Sequence, residues 1–126
     1  MNKDAVRARI AATGIVPSVR TSSAADARFA SEAVSDAGIA IVEITMTVPG
    51  ALDVIADLAR HLPDLVVGAG TILDLETARR CVDAGASFLT SPGLDVKIVE
   101  FAIQQQVLVL PGAVTPTEVT AAWQTL

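Results

Sequence analysis

Two hydrophobic periods alternate along the chain. Short runs of β-branched and aliphatic residues with period two are each followed by a stretch whose apolar residues recur every three or four positions. The run IAIVEITMT, Ile39 to Thr47, stands at the centre of the pattern. Alternation puts Ile41, Glu43 and Thr45 on one face and Val42, Ile44 and Met46 on the other, so one face is apolar throughout and the other carries a carboxylate in mid-strand. A carboxylate there is expected to be buried, and burial is costly unless the group is hydrogen-bonded or working. Two readings follow from the strand alone: a satisfied core acid, or a general acid/base.

The flanking pattern predicts the remaining elements. A leading helix with Val6 and Ile10 on one face, stopped by Gly14, should cover an end of the fold. IVPSVR, Ile15 to Arg20, reads as the first strand, and Thr21, Ser22 and Ser23 offer N-caps for a helix running to about Ala37, with Phe29, Ala30, Ala33, Val34 and Ala37 as its buried stripe. Pro49 stands at the first turn of the next helix, whose inward residues are Leu52, Ile55, Leu58 and Ala59. Leu62 to Thr71 gives a third strand ending in GAGT, and Asp74 caps a helix carrying Leu75, Ala78, Cys81 and Val82 that Gly85 stops. SFLTSPG is a fourth strand and turn, and Asp95 starts a helix with Ile98, Val99, Ala102 and Ile103. VLVLPG is a fifth strand and turn, and Thr115, Pro116 and Glu118 form a capping box opening a helix with Val119, Ala122, Trp123 and Leu126.

Five strand-turn-helix units at a spacing of roughly 20 to 25 residues specify an α/β fold with a parallel sheet and right-handed crossovers. A doubly wound sheet closes its own core at this length, whereas a β/α barrel needs eight units and roughly 200 residues or more. Either architecture gathers functional groups where strands run into the loops that follow them. Those positions hold Arg20; Glu43, Thr45 and Thr47; Gly68 to Thr71; Ser91, Pro92 and Gly93; and Pro111 with Gly112. A phosphoacceptor receiver domain would need clustered acids after the first strand, an Asp after the third and a Lys after the fifth, and none stands there.

Composition narrows the function classes. At 126 residues, with 52% hydrophobic residues, three Phe, one Trp and no Tyr, residues 1–126 form a single domain of aliphatic helix-on-sheet layers. The net charge of -5, with nine scattered basic residues, argues against nucleic acid or an anionic membrane and for a small-molecule partner. Cys81 is the one cysteine, so no disulfide framework or thiolate metal site is possible within the chain, and a reducing compartment fits. No leader or membrane-spanning run is visible, and the expectation is a soluble cytoplasmic protein. His61 reads as a solvated residue at a helix end, and Trp123 as core or subunit-interface surface.

The strand ends taken together are specific. VPSVR, VEITMTVPGAL, VVGAGTIL, SPGLD and LPGAVTPTEV, in this order and spacing, resemble the first five units of the bacterial 2-keto-3-deoxy-6-phosphogluconate aldolase family, which also cleaves 4-hydroxy-2-oxoglutarate. The resemblance implies a (β/α)8 TIM-barrel fold, here about five βα units plus a leading helix, assembled as a homotrimer. It implies class I chemistry without metal or cofactor, in which a lysine Schiff base turns a keto acid into pyruvate and an aldehyde. Glu43 takes the place of the glutamate that moves protons, and Thr71 that of the threonine holding the pyruvate carboxylate, with a helix cap as its alternative. Gly68 and Gly70 let backbone approach the substrate, Thr45 and Thr47 stand beside it, and Ser91, Pro92, Gly93, Pro111 and Gly112 line the rim.

Two departures from the family pattern matter. Thr47 stands where many members carry a carboxylate-clamping arginine, and Arg20 is the candidate replacement. The family's Schiff-base lysine belongs to a sixth strand, beyond Leu126, while Lys3 and Lys97 are expected to be solvated. The expectation is therefore the N-terminal five-eighths of an aldolase, inactive alone, with the first and fifth strands as apolar open edges. The alternative is a non-catalytic chain that binds keto acids or associates with full-length aldolase.

Overall fold

Asn2 starts the first helix by accepting the Ala5 N–H on its side chain, and Gly14, at φ 74°, ends it, which defines α1 (Lys3–Thr13). The computed structural model describes residues 1–126 and continues with β1 (Ser18–Val19), α2 (Ala24–Asp36), β2 (Ile41–Thr45), α3 (Ala51–His61) and β3 (Val66–Gly70). It ends with α4 (Leu75–Asp83), β4 (Phe88–Ser91), α5 (Val96–Gln104), β5 (Leu108–Pro111) and α6 (Pro116–Thr125). Ser23, Asp74, Asp95 and Thr115 cap their helices through side-chain oxygens, and Thr115 with Glu118 completes the capping box. The Thr77 backbone N–H, helped by its hydroxyl, holds the Asp74 carboxyl below the ordinary range, and the Thr115 and Val114 N–H groups do the same for Glu118.

All strand pairs are parallel, in the spatial order β1-β2-β3-β4-β5. A doubly wound sheet reverses direction at a switch point and places its first strand inside the order, so sequential order selects the barrel wall. The two faces agree with this choice. Val19, Val42, Ile44, Val67, Ala69, Leu89 and Val109 point outward and share one core with Ala27, Ile55, Leu58, Ala78, Cys81, Ile98 and Ala102 from α2 to α5. Ile41, Val66 and Phe88 point inward, where only Val6 of α1 is buried with them. The leading helix thus closes the lower end of the inner face, as its sequence predicts, and leaves the upper end free.

Three expectations need correction. The first strand was expected from Ile15 to Arg20 but pairs only at Ser18 and Val19, because Pro17 has no N–H to give to a ladder. In α2 the buried residues are Ala27 and Ser31, and Ala30 and Val34 of the expected stripe pack against the core, whereas Phe29 is 74% exposed and Ala33 and Ala37 are exposed too. Ser31 occupies the inward stripe because its hydroxyl donates to the Ala27 carbonyl at 2.7 Å, which removes the cost of burying it. Of the two readings of Trp123, its 83% exposure removes the core and leaves the interface reading standing, and Val119, Leu110 and Leu126 are exposed as well. The largest cavity, about 520 Å³, lies there between α1, β5 and α6.

Cys81 is fully buried on α4, with its thiol 3.4 Å from the Met46 sulfur. Burial is the main cause that pushes this thiol up from 9.0 to about 11, since the thiolate would lose its water. A folded value above the unfolded one contributes stability that is complete below pH 9.0 and lost as pH rises through about 11. Denaturant melts should therefore show stability falling across that alkaline window in the parent and less steeply in Cys81→Ala. A parent curve no steeper than the variant's would contradict the assignment.

Gly68 lies in register with Phe88, whose ring covers it so closely that a Cβ there would overlap the ring. Gly68→Ala should cost about 1–3 kcal/mol by overpacking, read as a lower denaturation midpoint at unchanged m-value. No loss of stability would mean that Phe88 can vacate the inner face.

Candidate active site

Register decides what surrounds Glu43. Ser18, Glu43, Gly68, Phe88 and Leu108 are successive partners across the five strands and form one inward row. Thr45, paired with Gly70, and Thr90, paired with Leu110, belong to the next inward row toward the carboxy ends of the strands. The Glu43 side chain leaves the first row and lies over Gly70, where a Cβ would collide with its carboxylate. Ser18 Oγ donates to Glu43 Oε1 at 3.0 Å, and Thr90 Oγ1 donates to Oε2 at 2.8 Å. Each carboxylate oxygen thus accepts one hydroxyl, and the residue is only half-buried, not buried as the strand pattern suggested. Its inward neighbour Gly70 has no side chain to cover it.

A second cluster sits at the ends of β1 and β2. Arg20 Nη1 donates to Thr47 Oγ1 at 3.2 Å, Thr47 and Thr45 hydroxyls are 2.8 Å apart, and Thr45 Oγ1 donates to the Val19 carbonyl at 3.4 Å. With Arg20 donating into the chain and Val19 accepting at its end, Thr47 is the donor to Thr45. The guanidinium makes no ion pair; the two salt bridges of the chain join Asp57 to Arg28 and to His61. Arg20 is thus an exposed cation with further N–H donors available beside the inner face.

Thr71 follows β3 at φ 61°, in the left-handed region that a β-branched residue avoids. It is not the cap of α4, because Asp74 fills that position, and its hydroxyl takes no hydrogen bond within the protein. Ser91 points away from Glu43: it lies in the outward row with Leu89, buried, and donates to the Gly93 carbonyl at 2.7 Å, which holds the turn after β4. Pro92 and Gly93 are exposed in that turn. Gly112 donates its N–H to the Ser91 carbonyl at 2.9 Å, and a Cβ on it would strike the Pro92 backbone, so Pro111 and Gly112 pack the fifth strand end against the fourth.

The structure therefore brings Glu43 and Gly70 together, and separately Arg20, Thr45 and Thr47. Ser18 and Thr90 escaped the sequence reading. Parity within SFLTSPG could have found Thr90, since it lies two residues beyond inward Phe88 and Ser91 does not. Lys3 stands in α1 and Lys97 in the first turn of α5, both exposed and neither on a sheet strand. No three His, Cys, Asp or Glu side chains are grouped to hold a metal ion, and no helix is long and apolar enough to cross a membrane.

If the left-handed Thr71 stores strain of about 1–3 kcal/mol, Thr71→Gly relieves it and more than offsets the extra freedom of the unfolded glycine. The expected outcome is a net gain of about 1 kcal/mol in denaturant melts. A loss of stability would show that the Thr71 side chain contributes packing rather than strain.

Known proteins resemble this chain in sequence and in fold. A family profile described as "KDPG and KHG aldolase" matches residues 6–125. The 2-dehydro-3-deoxy-phosphogluconate aldolase of Pseudomonas aeruginosa is 33% identical over 110 residues, which are 87% of this chain and 50% of that protein. A crystal structure of 2-keto-3-deoxy-6-phospho-gluconate aldolase from Zymomonas mobilis superposes with a TM-score of 0.80 at 31% identity, over 87% of this chain and 53% of that one. The KDPG aldolase of Legionella pneumophila, with pyruvate captured as a covalent carbinolamine intermediate, gives a TM-score of 0.81 at 26% identity over the same shares. The chain spans about half the length of the curated relatives it matches.

Proposed function

The chain belongs to the KDPG and KHG aldolase family, and from that premise we propose that it supplies the proton-transfer and carboxylate-binding part of a class I aldolase site. The observation that carries this reading is the Glu43 carboxylate on the inner face, held over Gly70, with the unpaired Arg20 guanidinium at the neighbouring strand ends. Both substrates in the family's name are 2-keto acids, and the keto-acid head is the part these residues would meet.

In this reading an amine adds to C2 of the keto acid and water leaves to give an iminium. Removal of the C4 hydroxyl proton then breaks the C3–C4 bond, the aldehyde departs, and the electron pair is taken up as an enamine. Protonation at C3 and hydrolysis release pyruvate and restore the amine. Glu43 moves protons, in part through water, as the carbinolamine forms and as the carbon-carbon bond breaks. Arg20 binds the substrate carboxylate in place of the arginine that Thr47 replaces, and Thr71 adds its unused hydroxyl. Neither Lys3 nor Lys97 is placed as that amine, since both stand exposed on helices and not on a sheet strand.

Pyruvate release from 2-keto-3-deoxy-6-phosphogluconate or 4-hydroxy-2-oxoglutarate, followed through lactate dehydrogenase, tests the assignment in the protein that carries this chain. Glu43→Gln should lower kcat by about 10²–10⁴-fold. Arg20→Ala should raise KM about tenfold or more, as expected for a lost charge-assisted hydrogen bond. Near-normal kcat in Glu43→Gln removes that residue from the mechanism. A second reading, a chain that associates with full-length aldolase without turning over, is favoured by the exposed Leu110, Val119, Trp123 and Leu126 along β5 and α6. Turnover in the parent protein decides against it.

A further inference from the structure

Neither Ser18 nor Thr90 has a role in the reading above, yet each gives its hydroxyl to a different oxygen of Glu43, from strands on opposite sides of it. Solvation does not require this. Glu43 is half-buried, so water could satisfy a carboxylate left free in the same place. What two donors on β1 and β4 add is direction: with Gly70 beneath and one hydroxyl on each oxygen, the carboxylate plane has a single orientation. The donor type matters as well. A hydroxyl carries one proton and two lone pairs, so it can donate to an ionised oxygen and turn to accept from a protonated one, which an ammonium or guanidinium cannot do.

Resting on the aldolase reading of this site, we infer that Thr90 and Ser18 are positioning residues for Glu43, each holding one oxygen so that the carboxylate keeps its geometry while it takes up and releases a proton. No bond to carbon changes in this role. The proton passes between Glu43 and the reacting oxygen or its bridging water, and the hydroxyl facing the oxygen that takes it can turn from donor to acceptor while the other goes on donating. Thr90 carries more of the effect, since its bond is shorter and lies in a part-buried setting, whereas Ser18 is exposed and competes with water.

The test uses the protein that carries this chain. Thr90→Val, equal in shape but without the hydroxyl, should lower kcat by about ten- to a hundredfold with KM changed by less than about threefold, as for a displaced catalytic group. Thr90→Ser should recover kcat to within about threefold of the parent, and Ser18→Ala, at an exposed position that folding tolerates, should lose only about two- to fivefold. In a Glu43→Gln background Thr90→Val should have almost no further effect, because the group it positions is gone. Unchanged kcat in Thr90→Val overturns the inference, as does an equally large loss in the Glu43→Gln background. If the parent cleaves neither keto acid, the aldolase reading fails, and crystal structures judge the positioning by itself. Thr90→Val should then show the Glu43 carboxylate displaced from Gly70 or split between rotamers, and an unmoved carboxylate overturns it.

Discussion

A carboxylate can lie across the inner face of this sheet only because Gly70 has no side chain. The Glu43 carboxylate occupies the volume that a Cβ at Gly70 would need, and Thr45, one row above Glu43, is the residue paired with that glycine. Filling the space would push the carboxylate off both hydroxyls and out toward solvent. Gly68 performs the matching service one row below, where its missing side chain admits the Phe88 ring that closes the apolar floor with Ile41, Val66 and Val6. The same strand thus makes room for an aromatic ring and for a charged group, two residues apart. The inner face is divided into a dry lower half and a polar upper half.

That division has an energetic logic. The outward faces of β2, β3 and β4 bury aliphatic residues against helices and supply most of the apolar core. Because the outward faces already hold the core, the upper inward positions can be given to Ser18, Glu43, Thr45, Gly70 and Thr90 without emptying it. The left-handed Thr71 fits this division, since backbone strain persists only where surrounding structure over-determines it. Sequential strand order carries all of these groups to one end of one face, which is where a barrel of this type gathers its chemistry.

Much of this was legible in the sequence. Ser23, Asp74, Asp95 and Thr115 were readable as caps because capping is a local interaction with a local signature. The inward face of β2 was readable because period two needs no knowledge of neighbours. Ala30 and Val34 of the α2 stripe were readable, but Phe29 stood in it where Ser31 belongs because hydropathy ranks Phe29 above Ser31, whereas a hydroxyl bonded to its own helix is cheap to bury. Ser18 and Thr90 were missed because a hydroxyl leaves no trace in a hydropathy pattern. Their importance arises only from cross-strand register, which lies 25 and 47 residues away in sequence from Glu43. The seat of the Glu43 carboxylate was likewise invisible, since it depends on Gly70 of the adjacent strand.

On the proposed aldolase reading, these residues serve a Schiff base formed by a lysine amine. The most direct measurement is borohydride reduction of the protein, purified from its own host, in the presence of pyruvate, followed by intact mass and peptide mapping. One reduced pyruvate adduct per chain is expected, on a lysine other than Lys3 and Lys97. No adduct, or an adduct on Lys3 or Lys97, contradicts it.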